Sequence, residues 1–248
     1  IFWVYGRDLP SHEFLAQYKP PTISRIYSVE GKIIDEFAKE RRLFTPANQI
    51  PDLIKNAFIS AEDKNFYEHP GYDMRGIFAA LVDAVQSRGK RIRGASTITQ
   101  QVMKNFLLDR SRRAERKVKE IILATRIERS LTKEQILELY LNEIFLGQNS
   151  YGITAASQTY FNKTLDELAP HEAAFLAALP KAPSDYHPVR EKERLLERRN
   201  YVLKEMFQNG YLPKRIYEYE LTQPVKSVQG QDYTCLLYTS DAADEMRR

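Results

Sequence analysis

Apolar and polar positions along the chain change period early and then hold it. Residues 22–38 alternate at Ile23, Arg25 and Tyr27, meet a turn-forming Gly31 and resume at Ile33 and Ile34, a pattern that predicts a small β-hairpin. Beyond it the spacing is helical almost throughout. Pro51 opens a helix running to Ala61, with Ile54, Phe58 and Ala61 as its apolar stripe. Thr97 with Gln100, Thr132 with Gln135, and Thr164 with Glu167 each match the capping box of a helix start. The segment KEQILELYLNEIFLG is apolar on most sides and ends at Gly147, so it predicts a core helix, with Leu137, Tyr140 and Leu141 joining Phe66 inside. Asn142 in that helix should hydrogen-bond the backbone of a neighbouring loop. A further amphipathic helix is predicted from about Arg190 to Gln208, stopped by Asn209 and Gly210. After Pro213 the chain turns polar and Tyr-rich, so residues 214–232 read as a linker. No internal repeat is visible.

Composition narrows the class. With 248 residues, 43% of them hydrophobic, the chain can bury one substantial core without disulfides or metals. The 37 Lys and Arg residues exceed the 33 acids only slightly, and a formal charge of +4 is too mild to argue for a nucleic-acid partner. The basic residues instead cluster at 87–93 and 110–119, where an anionic partner should meet the chain. Cys235 stands in a closing segment unlike the rest in composition; residues 233–248 read as a cloning or sequencing scar and stay outside the fold. The opening IFWVYG is shorter than the ~20 apolar residues of a membrane-spanning helix. Its aromatic cluster running into Arg7 and Asp8 predicts the exit end of a truncated one, with residues 1–21 membrane-proximal.

Candidate chemistry gathers around two acids. Glu62 continues the stripe of the helix from Pro51, which predicts a carboxylate at the rim of a core, the setting of a general base. About one helix later Thr97, Gln101 and Lys104, at spacings of four and three, should aim amides and a cation along one line. In the predicted helix 112–131, Arg116 and Glu120 head an inward stripe, where charges are costly unless paired or used. An intrahelical Arg116–Glu120 bridge is the plain alternative. Taken together, these groups suit transfer of a glycosyl group from a pyrophosphate to a sugar hydroxyl. Glu62 would take the proton, Lys104, Arg116 and Lys117 would neutralise the departing diphosphate, and the helix start after Gly94 would add backbone donors. His69 is expected to brace its loop. His171 and Glu172 resemble the opening of a zinc helix, but Phe175 stands where a second histidine would be needed, so no metal site is predicted there.

The segments EDKNFYEHPG, GASTITQQ, RKVKE, KEQILELYLN and RNYVL, in this order, resemble the five motifs of the peptidoglycan glycosyltransferases, the family 51 module of class A penicillin-binding proteins. The resemblance covers roughly residues 25–210. It implies a mainly α, lysozyme-like fold at 22–213, with a larger lobe, a smaller membrane-proximal lobe and a glycan cleft between them. It implies polymerisation of lipid II with inversion at the anomeric carbon and retention of the growing glycan strand. By the same resemblance Glu62 is the general base, Asp63 lines its site and Glu120 assists. Ser96, Thr97, Gln100, Gln101 and Lys104 contact the donor's sugar and phosphates, joined by Arg116, Lys117 and Lys181. No cofactor is required, although Mg2+ or Mn2+ stimulates some relatives and Asp63 could share such an ion. The implied partners are the membrane, moenomycin-type inhibitors and regulators of cell-wall synthesis. The implied place is the periplasmic face of the inner membrane, held by a single span and followed by a transpeptidase. Two alternatives stay open: a lysozyme-like glycan hydrolase or lytic transglycosylase, and a non-catalytic membrane-tethered scaffold.

Overall fold

The computed structural model describes residues 24–27, 33–37, 41–86, 96–107, 113–183, 186, 188 and 190–227. Residues 1–21, the hairpin turn at Gly31, the basic run 87–93, Gly94 and the segment 233–248 lie outside them.

The predicted hairpin forms. Strands β1 (Ser24–Tyr27) and β2 (Ile33–Phe37) pair antiparallel with Arg25 opposite Glu36, and the register shifts between Ile26 and Tyr27. A two-residue strand β3 (Arg41–Arg42) then runs parallel to β4 (Ser150–Tyr151). The other described elements are helical: α1 (Asp52–Glu62), α2 (Met74–Gln86), α3 (Ile98–Leu107), α4 (Arg113–Ile127), α5 (Lys133–Glu143), α6 (Ile153–Phe161), α7 (Pro170–Ala178), α8 (Lys192–Gln208) and α9 (Lys214–Thr222).

The core forms around α7, whose residues from Glu172 to Ala178 are all buried. Its four alanines carry little bulk, so α1 and α8 pack closely against it through Ile54, Phe58, Leu195, Val202 and Leu203. Each such side chain, once enclosed, contributes about 1.5–3 kcal/mol. The segment α5 is as apolar as its sequence predicts, burying Ile136, Leu137, Leu139, Tyr140 and Leu141. It ends at Glu143 rather than Gly147, because the chain after Ile144 turns extended to bridge Tyr151 and Ser150. Asn142 clasps the backbone of Thr45 in both directions, accepting from its N–H at 2.8 Å and donating to its carbonyl at 2.9 Å. The Thr132–Gln135 box caps α5 as predicted, and the Thr164–Glu167 box closes a single 3-10 turn, Leu165–Glu167.

Two expectations are corrected. Residues 214–222, read as linker, form α9 and dock on α7 and α8. Tyr217 stacks on Phe207 at 4.9 Å between ring centroids, and buried Glu220 accepts from the His171 backbone N–H at 3.1 Å while its carboxylate meets His171 Nδ1 at 2.5 Å. Arg199, 1% exposed, donates to the carbonyls of Gln223 at 2.6 Å and Leu221 at 3.5 Å, satisfying the open end of α9. The polar composition hid this docking because its anchors are a buried glutamate and an arginine. The second correction concerns Thr97, which does not join a polar row with Gln101 and Lys104; it is buried as described below.

By contrast α2 stands clear of the core. None of its described side chains is buried, and Met74, Phe78 and Val85 are 63%, 68% and 71% exposed. Among the described residues no helix is long and apolar enough to cross a membrane.

Candidate active site

The first motif is a loop tied shut by its own acid and histidine. Glu62 is the last residue of α1 and Asp63 breaks the helix at φ −158°. The Asp63 carboxylate, 7% exposed, accepts from His69 Nε2–H at 2.9 Å and from the Ile98 backbone N–H at 2.9 Å, so it caps α3 from 35 residues away. His69 Nδ1 accepts from the Gly71 N–H at 3.1 Å, which assigns the proton to Nε2. Thr97 Oγ1 donates to the Gly71 carbonyl at 2.8 Å and accepts from the Gln100 N–H at 3.2 Å. Gly71 holds φ +90° with Ala124 O only 2.7 Å from where a β-carbon would stand, so no other residue fits there without strain. The bracing role expected of His69 is therefore present. Asp63, which the resemblance implies lines the substrate site, has both oxygens engaged by N–H donors. That donor set does not suit a shared divalent ion. No cluster of three or more metal-ligating side chains occurs among the described residues.

Glu62 is presented differently. Gln101 on α3 donates to Oε2 at 2.8 Å, while Arg198 Nη2 on α8 lies 3.8 Å from Oε1 and donates to the Ala61 carbonyl at 3.4 Å. Glu62 and Arg198 side chains are each 14% exposed. Burial pushes the Glu62 carboxyl above its ordinary value, and the Gln101 hydrogen bond, Arg198 and Lys181 pull it back. The side chain is thus a half-enclosed, oriented carboxylate with a raised proton affinity.

A second cluster sits on the neighbouring residue of α3. Lys117 donates to Gln100 Oε1 at 2.7 Å, Ser96 Oγ at 2.8 Å and Glu120 Oε2 at 3.0 Å. Arg116 Nε lies 3.4 Å from the other oxygen of Glu120, which is 5% exposed. The intrahelical bridge that competed with a chemical role is formed, but Lys117 shares it, leaving two cations around one buried acid. Among the described residues the Gln100 Nε2 amide is buried without a partner. Lys104, exposed, lies one turn beyond Gln101 on α3, and Lys181 closes the 3-10 turn Leu179–Lys181.

Consecutive glutamines therefore split the site: Gln101 holds Glu62, and Gln100 holds the Lys117–Glu120–Arg116 group. Sequence reasoning missed Arg198. Its signal was present, since it abuts the fifth motif and flanks the buried stripe Leu195, Arg199, Val202, Met206 of α8.

Comparison with known proteins names the family of this helical domain. The Transglycosylase family model matches residues 30–207. The chain belongs to that family. It is 47% identical over 253 residues to penicillin-binding protein 1A of Rickettsia felis, covering 100% of this chain and 32% of that protein. It is 46% identical over 220 residues to penicillin-binding protein 1A of Escherichia coli, covering 89% of this chain and 26% of that protein. The crystal structure of penicillin-binding protein 1A from Haemophilus influenzae superposes with a TM-score of 0.53 at 29% identity, over 93% of this chain and 24% of the other. The chain thus spans about a third or less of the length of these relatives, and its fold is the mainly helical, lysozyme-like one that its motifs imply.

Proposed function

We propose that the chain polymerises lipid II into glycan strands, with Glu62 as general base. A hydroxyl of the incoming sugar attacks the anomeric carbon of the donor as its proton passes to a Glu62 oxygen. The new C–O bond forms on the face opposite the diphosphate, the old C–O bond breaks with its electron pair on the undecaprenyl pyrophosphate, and the anomeric configuration inverts. Arg116 and Lys117, held around Glu120, with Lys104 and Lys181, would receive the charge that develops on the leaving group. Glu120 serves as the anchor that keeps the two cations together. Ser96 and Gln101 offer polar contacts to the donor, while the buried Gln100 acts through Lys117, which it holds at 2.7 Å.

The observation that carries this reading is the Glu62 carboxylate itself: enclosed, oriented by Gln101 at 2.8 Å, and raised in proton affinity by burial while cations stand nearby. A hydrolase acting on formed glycan needs its acid to protonate a sugar leaving group. Here the second acid, Glu120, is bound between two cations, which favours transfer from a pyrophosphate. The exposed row Met74, Phe78 and Val85 on α2 suits contact with the bilayer that would supply a lipid-linked substrate, which fits an enzyme working at the outer face of the inner membrane.

The test is incubation with labelled lipid II. The expected product is a glycan polymer whose formation moenomycin blocks, and Glu62→Gln should lower the rate by about 10²–10⁴ while lipid II still binds. Shortening of preformed glycan with no polymer from lipid II would establish a hydrolase instead. An unchanged rate in Glu62→Gln would remove the base assignment.

A further inference from the structure

At the end of α7 away from Lys181, a cavity of about 570 Å³ opens between the end of α6, the start of α8 and the chain that leaves α9. Clefts that take small ligands span roughly 300–1,000 Å³, so this one has room for a short peptide. Phe161, Pro188 and Val225 supply apolar wall, while Lys163, Glu172, Lys192 and Lys226 bring charge. None of these side chains takes part in the glycosyl-transfer site described above.

The charges do not cancel. Glu172 is the only acid among the described lining residues, and it is already engaged. Lys163 Nζ donates to both its oxygens at 2.8 Å, and the Ala169 N–H donates to Oε2 at 2.9 Å. Lys192, the first residue of α8, and Lys226, four residues past Thr222 at the end of α9, are both exposed and have no acidic or hydrogen-bonding partner among the described residues. A solvated lysine is ordinary by itself. Here two of them come from separate elements to one cavity whose carboxylate is spent. The floor beneath them is enclosed, with Phe161 and Val225 each 8% exposed.

We propose that this cavity docks an acidic segment of a partner protein, two carboxylates meeting Lys192 and Lys226 and an apolar side chain between them resting on Phe161, Pro188 and Val225. The lining selects among anions. Bidentate capture of a phosphate calls for a guanidinium fork, and no arginine is among the described lining residues. Apolar walls call for an apolar group between the charges, which a peptide carries and a phosphate chain does not. A bilayer surface needs apolar side chains that stand out to enter it, whereas Phe161 and Val225 are sunk in the floor. A bound segment would bridge the start of α8 to the chain after α9, so occupancy should also hold α9 in place. The inference stands whether or not Glu62 is the base.

The experiment titrates the chain into a fluorescein-labelled, end-capped peptide EFE and follows anisotropy at about 50 mM and about 300 mM salt, with QFQ as the uncharged control. Saturable binding of EFE is expected, weakened roughly three- to tenfold at the higher salt. A Lys192→Gln, Lys226→Gln double variant should weaken it by roughly the same factor, with its melting temperature and lipid II polymerisation those of the parent. The reversed pair, Lys192→Glu with Lys226→Glu, should lose EFE and bind KFK instead, a switch that a merely structural role would not produce. Saturating EFE should slow tryptic cleavage after Lys226. No saturation by about 1 mM peptide, equal binding of QFQ, or a double-glutamine variant that binds EFE as the parent does would overturn the proposal. Displacement of EFE by equimolar tripolyphosphate would assign the cavity to phosphate, and displacement by phosphatidylglycerol vesicles would assign it to a membrane surface; either result overturns it as well.

Discussion

Replacing Asp63 with alanine separates a brace from a substrate contact. The substitution removes the carboxylate that caps α3 at Ile98 and the acceptor of the His69 Nε2–H. Loss of a helix cap costs about 1 kcal/mol. A buried N–H left unpaired costs about 1–3 kcal/mol. The expected destabilisation is therefore about 2–4 kcal/mol, which for a domain of this size lowers the melting temperature by about 5–15 °C. Because Gln101 rides on the helix that loses its cap, polymerisation of lipid II should fall too, but only as far as the folded fraction and the register of α3 fall. Asp63→Asn is a finer probe. Its amide oxygen can still accept from Ile98, but its NH₂ group opposes the His69 donor, and a tautomer switch would cost the Gly71 N–H its acceptor. That variant should melt between the alanine variant and the parent. Differential scanning calorimetry with a parallel lipid II assay well below the transition gives both readouts. An alanine variant melting within about 2 °C of the parent yet unable to polymerise would refute the bracing role and make Asp63 a substrate ligand.

Further outcomes follow from other contacts. Glu62→Gln should melt higher than the parent at pH 7. The folded carboxyl lies above its ordinary value of 4.5, so its stabilising contribution is complete below that value and lost as pH rises through the folded one; the advantage of the amide should shrink toward pH 4 in melting curves. Gly71→Ala should destabilise by about 2–4 kcal/mol through its left-handed backbone and the approach to Ala124, measured by urea titration. Arg198→Leu removes the cation nearest Glu62, so its rate deficit should be larger at low pH than at high pH in a pH–rate profile. Arg199→Met frees the carbonyls at the end of α9, and limited proteolysis should then cut residues 214–223 faster, with a loss of about 2–4 kcal/mol in stability.

How much of this was legible in the sequence depended on whether one helix or several had to agree. The helices α1, α5 and α8 follow from stripes and caps that each segment carries by itself, and the bracing role of His69 and the clasp of Asn142 follow from polar groups that must be paired. Thr97 was misjudged because helical spacing says which residues share a face, not what faces them; Gly71 from another loop claimed its hydroxyl. At Asp63 nothing local announces that its oxygens serve an amide 35 positions on. Residues 214–222 looked unstructured because their anchors, Glu220 and Arg199, are charged, and a charge signals burial only when its partner is known. Arg198 belongs with these: its value as a neighbour of Glu62 arises only where α1 and α8 meet.

The stitching of the N-terminal side of the domain has a consequence for how the chain is made. Arg42 pairs with Glu143 and covers the Tyr151 ring, Thr45 is held by Asn142 and Thr154, and the Ala47 N–H donates to Glu138. These partners are synthesised 91–109 residues later. At ribosomal speeds of about 5–20 residues per second, residues 41–47 wait roughly 5–20 seconds with nothing to close upon. During that interval the Ile50 and Ile54 end of α1 has no lid, so a nascent chain halted before Glu138 should be sensitive to proteases and claimed by chaperones, while one carried past Thr154 should close its own seam.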